Sequence, residues 1–139
     1  MAEDKEINHH ERTFCKKLLK WLHYNMEYSC VIEAKISEEN KPFNYKSGFK
    51  PHQLPTLIKV RNGKYGYKIS DIDASTRKPF DILFTSRQNS YVAIQWIRKG
   101  NNKFYLINPN VIQGEIDDGK KSLTEERAEK LASIIGYLK

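Results

Sequence analysis

Apolar residues recur every third or fourth position across residues 6–25. Phe14, Leu18 and Leu22 mark one stripe and Cys15 and Leu19 widen it, which predicts an amphipathic helix. The period then shortens to two, and residues 28–36 read as a strand. Residues 37–50 are rich in Lys, Asn and aromatics and read as a loop. A short helix follows over 51–61, with Pro51 near its first position and Asn62-Gly63 as its stop. Pro55 fits there only inside the first turn, where no helical partner awaits its missing N–H. Strand-like runs cover 65–71, 80–85, 91–97 and 103–107, and the short polar turns between the last three predict an antiparallel meander. Ser122-Leu123-Thr124-Glu125 has the form of a capping box, and Leu131, Ile134, Ile135 and Leu138 predict a C-terminal helix. The order α-β-α-β-β-β-β-α describes an α/β sandwich on a mixed sheet, within one domain over 1–139.

Alternation in the first strand has a chemical consequence. Val31, Glu33 and Lys35 share one face, while Ile32, Ala34 and Ile36 share the other. Glu33 and Lys35 are then about 6.6 Å apart along the strand, at roughly 3.3 Å per residue. A half-buried face holds opposite charges at a cost unless they are paired or have a task. One such task is phosphodiester cleavage; the bland alternative is an ordinary surface ion pair.

Composition narrows the classes. Hydrophobic residues make up 39% and charged residues 29%, as in a folded globular protein rather than a disordered one. No apolar run is long enough to span a bilayer, and the acidic start Met1-Ala2-Glu3-Asp4 is no signal peptide. Cys15 and Cys30 fit neither a zinc spacing nor a disulfide scaffold, so a reducing cytoplasm is expected. The net charge of +7 favours a polyanionic partner. The charges fall in small groups, among them Lys16, Lys17 and Lys20 on the first helix and Lys46 and Lys50 in the loop, which suits backbone tracking.

Further candidates surround the Glu-x-Lys pair. Glu11 continues the stripe of Phe14, Leu18 and Leu22 and so extends the helix face that packs on the sheet; alternatively it favours the helix N-terminal dipole. Asp81 lies opposite Phe80, Ile82 and Phe84, a setting that calls for backbone amides or a cation shared with Glu33. Asp71 and Asp73 read as turn formers. His52 and Gln53 open the short helix and could reach a phosphate or water, or simply be polar residues at a helix start. Phe43, Tyr45 and Phe49 are the aromatics outside the β runs that could stack on bases.

With these residues in view, the chain resembles the PD-(D/E)xK nuclease superfamily, and most of all its Holliday junction resolvases of the archaeal and RecU type. The resemblance spans roughly residues 8–107. It rests on Glu11 in the leading helix, Glu33-Ala34-Lys35 on a strand, the aromatic loop leading to Lys50-Pro51-His52-Gln53-Leu54, and the strand Lys103-Phe104-Tyr105-Leu106-Ile107. It implies a restriction-endonuclease-like mixed sheet flanked by helices, and a Mg²⁺-dependent (or Mn²⁺-dependent) endonuclease that cuts branched DNA, as a homodimer. Glu33 and Glu11 would be metal ligands, Lys35 would position water or phosphate, and Gln53 would support them. Lys16, Lys17, Lys20, Lys46, Lys50 and His52 would contact the nucleic acid. The family's metal-binding Asp precedes Glu-x-Lys, whereas here the substitute is Asp81, 46 residues after Lys35 (81 − 35). Two accounts remain: a rearranged sheet in which Asp81 completes the site, or a degenerate site on a binding module.

Overall fold

A computed structural model describes the backbone of residues 2–63, 65–69 and 82–139, and the side chains of 9–63 and 87–139. Helix α1 (Ala2–Asn25) leads into β1 (Cys30–Glu38). A short strand β2 (Phe43–Asn44), a single turn α2 (Tyr45–Gly48) and helix α3 (Gln53–Asn62) follow. Next come β3 (Tyr65–Ile69), β4 (Ile82–Ser86), β5 (Asn89–Ile97) and β6 (Lys103–Ile107). The chain ends with α4 (Pro109–Asp117), β7 (Ser122–Leu123), α5 (Glu125–Leu131) and β8 (Ile134–Tyr137).

The main sheet has four strands in the order β1-β5-β6-β8. β1 runs parallel to β5, in register from Cys30 opposite Asn89 to Glu38 opposite Ile97. The parallel pairing requires a crossover, and α3 lies within it. β5–β6 and β6–β8 are antiparallel, so the sheet is mixed, as the sequence predicts. β3 and β4 pair only with each other among the described residues, and β2 pairs with β7.

Side-chain alternation divides the core into two layers. Tyr91 and Ala93 of β5 join Phe104 and Leu106 of β6 under Phe14 and Leu18 of α1. Val92, Ile94 and Trp96 face the other way with Tyr105 and Ile107, against Leu54 and Leu57 of α3 and Ile112 of α4. β5 is therefore buried on both faces, which is why it reads as a nearly unbroken apolar run. On β8, Gly136 lies directly beneath the Phe104 ring: a Cβ there would come within 2.3 Å of the ring and 3.0 Å of Trp21.

Four expectations are corrected. The apolar stripe of α1 runs through Phe14, Leu18, Trp21 and Leu22, while Cys15 is exposed and Leu19 is 70% exposed. The second and third of the three late strands do pair, but β4 pairs with β3 instead of β5, so the meander is broken. The N-cap of α5 is Thr124, whose hydroxyl accepts from the Arg127 N–H; Ser122 sits in β7. Finally, α5 ends at Leu131 and the expected helix beyond it is strand β8. Ile134 and Leu138 are two-residue partners of Gly136 on the α1 side, and the Ser133 N–H bonds the Leu106 carbonyl, so pairing with β6 overrides the helix-compatible spacing. Helix α4 falls in a stretch for which the pattern predicts no element; the Asn108 side chain caps it and Pro109 opens it.

Candidate functional site

Alternation in β1 fixes which face each side chain takes. Ile32, Ala34 and Ile36 pack in the α1 layer, so Glu33 and Lys35 project to the side where α3 crosses. Glu33 is opposite Val92 and Lys35 opposite Ile94, both strand residues buried in that second layer.

α3 brings its first residue to the same point. The Gln53 N–H donates to the Lys50 carbonyl, and the Lys50 N–H donates to Gln53 Oε1 at 2.9 Å. This reciprocal turn holds the Gln53 amide over β1. Pro55 is the third residue of α3, inside the first turn, so its missing N–H leaves no helical bond unmade.

The three side chains then close into a cluster. Lys35 Nζ donates to Gln53 Oε1 at 2.8 Å and lies 3.2 Å from Glu33 Oε1. Gln53 Nε2 donates to that same Glu33 oxygen at 3.0 Å. Lys35 is 13% exposed and Glu33 30%, so the cluster is half-buried but open to solvent. The ammonium has three N–H groups and two acceptors here, and Glu33 Oε2 accepts from no described residue. Among the described residues, one donor of Lys35 and one carboxylate oxygen of Glu33 thus have no protein partner.

The aromatic loop supports this arrangement instead of offering bases a platform. Phe43 and Tyr45 are buried in the core, which corrects their reading as stacking residues. Gly48 lets the Phe43 ring lie against the backbone, because a Cβ there would come within 2.3 Å of it. Phe43 in turn holds Phe49 edge-on at 5.3 Å, and the Phe49 ring lies 5.7 Å from Lys35 Nζ. The contact of Phe49 with Lys35 is missed in the sequence, where the only signal is an aromatic just before the Lys50–Gln53 turn.

Glu11 stands apart from these bonds: no described contact joins it to Glu33, Lys35 or Gln53. Its carboxylate and that of Glu33 nevertheless act on one sulfur. Partial desolvation by its surroundings on α1 first, then Glu11, then Glu33 push the Cys15 thiol above its ordinary value. Asp81, the candidate second metal ligand, lies outside the described residues, as do Asp71 and Asp73. Among the described residues, no three His, Cys, Asp or Glu side chains converge as a metal site would require. Glu33 Oε2 is a hard oxygen donor of the kind Mg²⁺ accepts, since that ion is bound through one or two carboxylates together with substrate phosphate. Among the described residues the cluster offers such an ion one carboxylate, that of Glu33.

The basic candidates separate into two groups. Lys50 and His52 are exposed on the turn that carries Gln53, and Lys46 is exposed on α2. The β2–β7 pairing, with the Tyr45 N–H bonded to the Lys121 carbonyl, brings Lys120 and Lys121 to the depression that Lys46 lines. Lys120 is bound to the buried Glu115 at 2.7 Å. Lys17 and Lys20 instead line a groove against β8, at the sheet edge opposite β1, and Lys16 is exposed on the same helix.

No known protein family, curated protein or solved structure matches this chain. No helix among the described residues is long and apolar enough to cross a membrane.

Proposed function

We propose that this protein is a metal-dependent endonuclease whose substrate is DNA, with branched DNA such as a Holliday junction as the preferred class, on a restriction-endonuclease-like core. The observation that carries the reading is the cluster in which Gln53 bonds both Glu33 and Lys35, whose carboxylate and ammonium lie 3.2 Å apart on a solvent-accessible face. The net charge of +7, the exposed Lys50 and His52 on the turn that carries Gln53, and the exposed Lys46 on α2 support a phosphate-backbone ligand.

In this reading Glu33 holds a Mg²⁺ or Mn²⁺ ion, with Asp81 as the second carboxylate. When bound, that ion polarises the scissile phosphate and lowers the pKa of the attacking water. Lys35 would donate to the phosphate oxygen on which negative charge grows, and Gln53 would hold the ammonium and the carboxylate in place through one bond to each. Lys46, Lys50 and His52 hold the flanking backbone. A homodimer would present two such sites to a junction.

The test is cleavage of four-way, flap and linear DNA with and without Mg²⁺. Wild type should cut in Mg²⁺ only, and Glu33→Ala and Asp81→Asn should abolish cutting. Lys35→Ala should slow it by about 10²–10³-fold, the scale of losing one donor to developing charge. Wild-type protein that cuts none of these substrates would sink the enzyme reading. One observation favours a second reading, a non-catalytic nucleic-acid-binding module: among the described residues Glu33 is the only carboxylate in the cluster. Absence of cleavage of all three substrates, together with DNA binding that is indifferent to both Mg²⁺ and Glu33→Ala, would establish that alternative.

A further inference from the structure

The α1 lysines lie at the sheet edge opposite the candidate site, so they need a different account. Lys17, Lys20, Trp21 and Tyr24 are spaced i, i+3, i+4, i+7, which puts them on one stripe of α1. This stripe overhangs β8, and together they enclose an open groove of about 640 Å³. Gly136 forms part of the β8 wall, and its missing Cβ is what lets Trp21 settle edge-on over Phe104 at 5.0 Å. Tyr24 is 75% exposed. Among the described residues, none of Lys17, Lys20 and Lys139 has an ion-pair partner. Lys17 and Lys139 also line a second hollow of about 400 Å³, together with Gln95, Asn101 and Asn102.

We propose that this groove binds a single-stranded nucleic-acid segment, its bases against Tyr24 and the exposed edge of Trp21 and its phosphates on Lys17, Lys20 and Lys139. Cations beside accessible rings, here two lysines followed by a partly exposed Trp21 and an exposed Tyr24, are the chemistry that sequence-independent single-strand binders use. Two hollows that share Lys17 and Lys139 in their walls suit an extended, flexible polymer better than a compact ligand. A rigid duplex has its bases stacked inside and offers no ring to Tyr24. The proposal extends the nucleic-acid reading above but does not rest on cleavage.

The experiment measures binding of a labelled oligothymidylate of roughly 12 nucleotides, a length within the range of such sites, in EDTA. Tyr24→Ala should weaken binding by about 5- to 150-fold, the range of one lost base stack, and Tyr24→Phe should restore it. Lys17→Ala and Lys20→Ala should each make the slope of log K against log salt shallower by about 0.7. Binding should also quench tryptophan emission, and the quench should vanish in Trp21→Phe, since Trp96 is buried. These side chains are wholly or partly exposed, and an unchanged thermal midpoint will show that each variant folds. Glu33→Ala should bind as wild type does, so failed cleavage leaves the groove standing and a failed groove leaves the cleavage test standing. Unchanged affinity in Tyr24→Ala would overturn the proposal. So would equal competition by duplex DNA or polyglutamate, or self-association of the protein that buries Tyr24.

Discussion

Gln53 is a neutral residue that organises two charged ones. Its carbonyl oxygen accepts from Lys35 and from the Lys50 N–H while its amide donates to Glu33, so each end of the group has a different task. Without it, Lys35 and Glu33 would be left as an ordinary ion pair, which contributes little when partly solvated. Because the three side chains share hydrogen bonds, their substitutions should not add. In a Gln53→Ala, Glu33→Ala double-mutant cycle followed by urea denaturation, the expected coupling is about 0.5–3 kcal/mol. Strict additivity would mean that the Gln53–Glu33 hydrogen bond is not made in solution. Of this cluster, Glu33 and Lys35 are legible in the sequence because strand alternation alone puts them on one face. The place of Gln53 beside them comes only from the resemblance and not from the local pattern, since it depends on how α3 is carried back over β1.

Elements at the C-terminal end test local signals against long-range pairing. Thr124 caps α5 through a hydroxyl bond to the Arg127 N–H at 3.2 Å. Thr124→Ala should therefore cost about 1 kcal/mol in denaturant unfolding, whereas Ser122→Ala should cost less because Ser122 caps nothing. Equal losses would restore the capping box at Ser122. The S-x-x-E pattern is a signature of helix starts, yet Ser122 is drawn into β7 opposite Asn44. Similarly, Leu131, Ile134, Ile135 and Leu138 satisfy helical spacing, but positions 134, 136 and 138 also satisfy a period of two. The β6 edge decides between them, because Gly136 disfavours a helix and fits beneath the Phe104 ring. Most other strands, and helices α1 and α3, are legible in the periodicity to within a few residues; α4 is not, despite its Asn-Pro start.

Across the molecule, the α3-side layer is closed by a buried acid. Glu115 is 4% exposed and is held by Arg127 on both carboxylate oxygens and by Lys120, tying α4 to α5 and to the turn after α4. The hydrogen bond from Arg127, more than any other cause, holds the Glu115 carboxyl below its usual range. In the unfolded chain that carboxyl regains its ordinary value, so the unfolded state takes up protons first as pH falls. The stabilisation is therefore fully present above about pH 4–5, where an unfolded carboxylate is ionised, and is lost as pH drops through the lower folded value. Thermal unfolding between pH 7 and pH 3 should show an acid limb that is shallower in Glu115→Gln than in wild type. Identical limbs would remove Glu115 from the account. Burial pushes the Tyr45 hydroxyl up to about 12, with Glu115 adding to the effect, so Tyr45 stays neutral throughout this range.

The chain's own pattern determines where α1, β1, β5 and β6 lie, that Glu33 and Lys35 share a face, and that the surface is basic. Those properties follow from neighbours a few residues apart and from composition, which no folding partner can alter. Only the tertiary structure decides that β1 lies parallel to β5, that Gln53 meets Glu33, that Lys120 joins Lys46, and that Lys17 and Lys20 face β8 at the far edge. Each of these depends on which surfaces are buried against one another, and burial is a property of the whole chain.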